Sequence, residues 1–299
     1  MTTFHQRSVS ASELPQRQHH SARVTRLKST KGRALQWMLG VAGALALTGY
    51  NAEAGAQSAA AGTRSSPVCE GAASANCAGG VTAAPAKQLG TILSLGDSIT
   101  VGHSGGYQRQ VSTRLKSAGV SFNGDIVNAG HSGWQMIKCN VNGIYQTLDA
   151  ELDQYKPDTV LLMIGTNDVG GGNLPGMNLA SIGHPEINCS YDQAPQRLNL
   201  LIEKIHEKRP TAMVFVANII PIMRLPISER ESEKYAPKVA QLVNKRIAAG
   251  DSLIAAVDVW TGFPRETGYQ ADKVHPTSDG QRFIGDRFFE AIQRWLQGK

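Results

Sequence analysis

Residues 91 to 100 read TILSLGDSIT, an apolar run that stops abruptly at Gly-Asp-Ser. Thr91, Ile92, Leu93 and Leu95 predict a buried parallel strand, and Gly96 gives the backbone the freedom to turn sharply at its end. The turn lifts Ser98 to the carboxyl edge of the strand, where open α/β sheets bind their ligands. A Gly-Asp-Ser tripeptide is equally an ordinary strand-ending turn, so the choice rests on what the rest of the chain brings to the same edge.

Four more apolar runs follow, at residues 125–128, 159–164, 212–218 and 253–257. Helical spacing separates them: Leu198, Leu201, Ile202 and Ile205 before Arg209-Pro210, then Val239, Leu242, Val243 and Ile247 before Gly250. Phe283, Ile284, Phe288, Ile292 and Trp295 mark a terminal helix. Five strands alternating with helices predict an α/β fold, one parallel sheet with helices on both faces. Residues 170–194, GGGNLPGMNLASIGHPEINCSYDQA, break the rhythm. They carry no helical or strand period, and we expect a long loop at the carboxyl edge, a length usually functional or disordered.

The first ninety residues have another character. Seven basic residues from Arg7 to Arg33 precede an apolar run, Ala34 to Leu47, and the small residues Ala52, Ala54, Gly55 and Ala56 follow. That is the order of a secretory signal, so residues 1–56 are expected to be a leader, cleaved or retained as an anchor. Residues 57–88 are rich in Ala, Gly and Ser with almost no large apolar side chain, the composition of a disordered linker. The catalytic domain is expected over residues 89–299. The leader carries five of the chain's six net positive charges; the remainder has 23 basic against 22 acidic residues. A nearly neutral remainder has no electrostatic footprint for a phosphate backbone, which excludes nucleic acid as a partner. The four cysteines, behind an export signal, favour disulfides. Their order suggests Cys69 with Cys77 and Cys139 with Cys189, with other pairings open, and no two-residue Cys spacing or His cluster points to a metal.

Three further stretches fall at the same sheet edge as Ser98: NAGHSGW (Asn128 to Trp134), IGTND (Ile164 to Asp168) and ADKVHP (Ala271 to Pro276). A serine hydroxyl needs a base to take its proton as it attacks a carbonyl carbon, and His275 is the candidate. Asp272, three residues earlier, is the candidate to hold one ring nitrogen protonated; capping Asp and surface His is the plain alternative. Gly133, Asn167 and the backbone N–H of Ser98 can face a developing oxyanion. Asp97 and Asp168 are expected to bind nearby backbone. His103 and His131 are rival bases. His131 is also a candidate substrate contact, and Tyr107 and Trp134 are either sugar-stacking platforms or packing residues.

Together the blocks GDSIT, NAGHSGW, GTND and DKVHP resemble, in order, the four blocks of the SGNH family of the GDSL hydrolases. The resemblance spans Thr91 to the C-terminus. It implies a three-layer α/β/α sandwich with a flavodoxin-like, five-stranded parallel sheet and no metal or organic cofactor. It further implies nucleophile Ser98, base His275, orienting Asp272, and oxyanion donors Ser98, Gly133 and Asn167. HSGW (His131 to Trp134), DTVLLMIGTNDV (Asp158 to Val169) and GGY (Gly105 to Tyr107) resemble more narrowly the acetylxylan esterases of carbohydrate esterase family three. The 170–194 segment departs from that pattern.

The expected function is therefore a secreted or periplasmic serine esterase that removes acetyl groups from carbohydrate through an acyl-enzyme on Ser98. Its partner is an acylated carbohydrate or another small ester, and a membrane only if the leader is retained. Two alternatives remain: a lipolytic esterase or thioesterase acting on free acyl esters, and a noncatalytic carbohydrate-binding module on the same fold.

Overall fold

The structure is a computed structural model that describes residues 87–102, 105–171 and 173–299. The expected leader, nearly all of the linker, a Cys69–Cys77 bridge and His103 lie outside the described residues.

The chain opens with strand β1 (Thr91–Gly96), the short helix α1 (Ser98–Val101) and α2 (Gly106–Ser117). Strand β2 (Asn123–Gly130), α3 (Leu148–Tyr155), β3 (Thr159–Met163) and the short α4 (Thr166–Gly170) follow. Next come β4 (Leu174–Leu179), β5 (His184–Cys189) and α5 (Ala194–Lys208). Strand β6 (Met213–Ala217), α6 (Pro226–Ala248), β7 (Ile254–Val257) and α7 (Ser278–Leu296) complete it.

Five strands form one parallel sheet in the order β2-β1-β3-β6-β7. Strand order reverses beside β1, which makes the carboxyl ends of β1 and β3 the switch point where such sheets open a crevice. Successive residues of each strand enter opposite layers, because strand side chains alternate in direction. Leu93, Leu95, Val160, Leu162, Val214 and Val216 pack with α3, α5 and α6. Ile92, Leu161, Met163, Met213 and Phe215 pack with α2 and α7. Burial on both faces is why these strands read as continuous apolar runs, while edge strand β2 is half exposed. The expected α/β/α sandwich is the observed one.

The expectation of an irregular loop at 170–194 is corrected. Strands β4 and β5 form a separate two-stranded antiparallel ladder, turned at Gly183 with φ 86°. Register shifts between Leu174 and Asn178 and again before Leu179 break the two-residue alternation that would have announced a hairpin. Its anchors, Leu179, Ile187 and Cys189, are buried in the α5-side core. Cys189 is bonded to Cys139, 50 residues earlier, which staples the hairpin to the segment following β2.

Candidate active site

The sharp turn after β1 follows from sterics: a Cβ on Gly96 would stand 2.1 Å from the Met163 carbonyl oxygen and 2.2 Å from Thr100 Oγ1. Only glycine lets β1 close against β3 at that point. Asp97 then caps α1 by accepting the Ile99 N–H at 3.0 Å, which leaves Ser98 half-buried on the first turn. Burial pushes the Asp97 carboxyl up to about 6, against the pull of that N–H on the anion.

The loop between β7 and α7 carries Asp272 and His275. It is folded on itself by Gln270 N–H donating to the His275 carbonyl at 2.8 Å, and held to the β6 side by Met223 N–H donating to the Lys273 carbonyl. Thr277 caps α7, and Gln281 on that helix donates to the Ile99 carbonyl at 3.2 Å, tying the histidine loop's helix to the serine's. His275 Nε2 is 2.8 Å from Ser98 Oγ, and His275 Nδ1 is 2.5 Å from Asp272 Oδ2. Asp272 Oδ1 accepts the N–H groups of Val274 and His275, both at 3.0 Å. Partial burial raises the Asp272 carboxyl, but the imidazole and the two N–H groups outweigh it and hold it at about 2. The carboxylate thus stays charged and keeps a proton on Nδ1, leaving Nε2 free to accept the serine's.

Gly133 and Asn167 reach the same edge. His131 N–H donates to the Gly96 carbonyl at 2.9 Å, which pins the loop after β2 to the end of β1. Gly133 sits beyond it at φ 78°, exposed, with open space where a side chain would be. The Asn167 amide donates to the Trp134 carbonyl at 2.8 Å, and Gln135 Nε2 donates to the Asn167 carbonyl at 3.2 Å. The two candidate donor segments are laced together.

Profile comparison places residues 94–283 in the GDSL-like Lipase/Acylhydrolase family. The chain belongs to that family. The matched region has the fold of the SGNH hydrolases. It is 26% identical over 245 residues, 69% of this chain, to a multidomain esterase of Ruminococcus flavefaciens. The matched stretch is 29% of that relative's length. The fold is similar to a family 3 carbohydrate esterase from Clostridium thermocellum, with TM-score 0.55, 23% identity, and 71% of this chain and 98% of the other covered. It is likewise similar to a family 3 carbohydrate esterase from Talaromyces cellulolyticus (TM-score 0.54, 23% identity, 71% and 100% covered). An acetyl xylan esterase variant from Geobacillus stearothermophilus matches at TM-score 0.51, 21% identity, 68% and 96% covered.

One sequence-derived candidate is overturned in this family member. Tyr107 is fully buried, stacks on Phe288 at 5.2 Å, and shares its hydroxyl with Ser94 at 2.7 Å and Thr100 at 3.1 Å. A sugar has no access to it; the tyrosine braces β1 and α1 on either side of the Gly96–Ser98 turn. His131 lies next to Glu151, Nε2 to Oε1 at 2.8 Å, and stacks on Trp134 at 4.1 Å. That ring nitrogen is already engaged, which disqualifies His131 as the rival base in this arrangement. Trp134 is partly buried against the α5-side core, so at most one portion of its ring faces solvent.

Sequence reasoning missed Arg197. It is fully buried and donates to Asp168 Oδ1 at 3.1 Å, while Asp168 Oδ2 accepts the Met136 N–H at 3.0 Å. Burial raises the Asp168 carboxyl, and Arg197 opposes that rise. The signal was present: Arg197 occupies an inward position of α5, between Ala194 and Leu201, where the helical period calls for an apolar residue. Among the described residues no group of three His, Cys, Asp or Glu gathers to hold a metal ion. Among them, too, no helix is long and apolar enough to cross a membrane.

Proposed function

We propose that this chain is an exported serine esterase that removes small acyl groups, acetyl above all, from the hydroxyls of a carbohydrate. The observation that carries the reading is the continuous line Asp272–His275–Ser98, with 2.5 Å and 2.8 Å between the interacting atoms. Ser98 Oγ attacks the ester carbonyl as its proton passes to His275 Nε2. The carbonyl oxygen becomes an oxyanion received by the Ser98 N–H, the Gly133 N–H and the Asn167 amide. His275 returns its proton to the departing sugar oxygen, leaving an acyl-enzyme on Ser98. Water then attacks the acyl carbonyl, giving one proton to His275, and the carboxylic acid leaves as Ser98 recovers that proton. The carbohydrate assignment draws on the resemblance to the family 3 carbohydrate esterases and on the His131–Trp134 stack beside Gly133. Export draws on the basic-apolar-small order of residues 1–56 and on the disulfide.

The test compares acid release from acetylated xylan, a short aryl acetate and a long-chain aryl ester. Turnover of the first two with little of the third supports the reading. Preference for the long chain points to a lipolytic esterase, and absence of all three activities to a binding module.

A further inference from the structure

None of the four motif blocks contains Arg197, yet it lies where three segments meet. Its Nε donates to Asp168 Oδ1, and its Nη1 donates to the carbonyls of Asn188 at 2.7 Å and Ser190 at 2.9 Å, on either side of the disulfide-bonded Cys189. The other oxygen of Asp168 takes the Met136 N–H, three residues beyond Gly133. Asn167, the neighbour of Asp168, is tied in turn to Trp134 and Gln135. The guanidinium and the carboxylate are both wholly buried, where an unpaired ion is far costlier than at the surface. Neither ion can leave the other without being stranded in the interior, and only Arg197 Nη2 of the guanidinium has no hydrogen-bond partner among the described residues.

We propose that Arg197 is a positioning residue for oxyanion stabilisation: through Asp168 it holds the Asn167 amide and the Gly133 segment in register, with the β4–β5 hairpin as its abutment. The proposal rests on the reading of Asn167 and Gly133 as oxyanion donors. Arg197 touches no reacting atom. It acts by removing the freedom of the donors, and a displacement of about 1 Å at such a site costs up to roughly 100-fold in rate. The bridge from Cys139 to Cys189 joins the same two segments covalently. Hairpin and donor loop are thus held by one covalent bond and one buried ion pair.

The test is a double-mutant cycle on aryl acetate hydrolysis in the full chain, using Arg197→Met, Asn167→Ala and the pair. Rates are normalised to Ser98 titrated to completion with an aryl phosphonate, so that misfolded protein is not counted. Expected for Arg197→Met is a fall in kcat of about 10- to 100-fold with KM within about twofold, since a donor acts in the transition state. In the double variant the further loss caused by Arg197→Met should be clearly smaller than in the wild-type background, because with the Asn167 amide gone only the Gly133 segment is left to position. Arg197→Lys, which keeps the cation but not the forked contacts, should recover part of kcat. Losses that multiply in the double variant, a raised KM with kcat intact, or an unchanged rate would each overturn the proposal. Should Arg197→Met fail to fold, Arg197→Lys carries the same cycle with the same criteria. A wild-type protein that neither hydrolyses the ester nor takes up phosphonate would overturn the site reading beneath it.

Discussion

Asp272 holds His275 by both the ring and the backbone: Oδ2 meets Nδ1 at 2.5 Å while Oδ1 accepts the N–H of the same histidine at 3.0 Å. No backbone carbonyl takes a share of Nδ1 among the described contacts, so the carboxylate alone selects the tautomer. In Asp272→Asn the amide oxygen can keep the two backbone N–H groups, while its NH₂ faces Nδ1 and drives the proton to Nε2. We expect kcat to fall by about 10³- to 10⁴-fold with an unchanged circular dichroism spectrum. The wild-type carboxyl lies at about 2, below its ordinary value. Its contribution to stability is complete above the unfolded carboxylate range and is lost as pH falls through about 2.

Ser98→Ala and His275→Ala should each nearly abolish ester hydrolysis, and the double variant should be little worse than either, because nucleophile and base act as one unit. Initial rates on an aryl acetate measure this. A Ser98→Ala protein that stays folded and active would sink the assignment.

Asp97→Asn should change the pH dependence of stability. The wild-type carboxyl is buried and sits at about 6, raised from 3.8. A raised acid contributes stability that is complete below the unfolded value and lost as pH rises through the folded one. Between pH 3.8 and pH 6 the wild type should therefore lose about 3 kcal/mol relative to the asparagine variant, taking ~1.4 kcal/mol per unit. Urea denaturation at pH 4, 5, 6 and 7 reads the difference; parallel curves for the two proteins would refute it.

Replacing Cys139 and Cys189 by serine opens a loop of 50 residues. In the chain-entropy account this removes about 4 kcal/mol, or roughly 8 to 16 °C of melting temperature for a domain of this size. Differential scanning calorimetry of the oxidised wild type and the double variant checks it. Because the bridge ends in the segment that follows Gly133, kcat should fall as well, measurably below the melting transition.

The sequence by itself determined the layer architecture and which side chains are the candidates for chemistry. Both are local properties. Ile92 to Leu95, Val160 to Leu162 and Val214 to Val216 are apolar without interruption because each strand is covered on two faces. Ser98, Gly133 and Asn167 follow the ends of β1, β2 and β3, and Asp272 and His275 lie in the loop after β7; a parallel sheet carries all these strand ends to one edge.

What only the tertiary structure decided is what each polar group meets, since hydrogen-bond partners on different elements, such as His131 and Glu151 or Arg197 and Asp168, leave no trace in spacing. Tyr107 reads as either a sugar platform or a packing residue until Phe288 and Ser94 enclose it. His131 reads as a spare base until Glu151 takes its ring nitrogen. The 170–194 segment reads as a long loop because its ladder slips register; its bridge to Cys139 was legible in the cysteine order, but the hold of Arg197 on it was not. Arg197 itself is invisible to a motif, because a charge inside an apolar layer is tolerated only by virtue of the carboxylate that waits there.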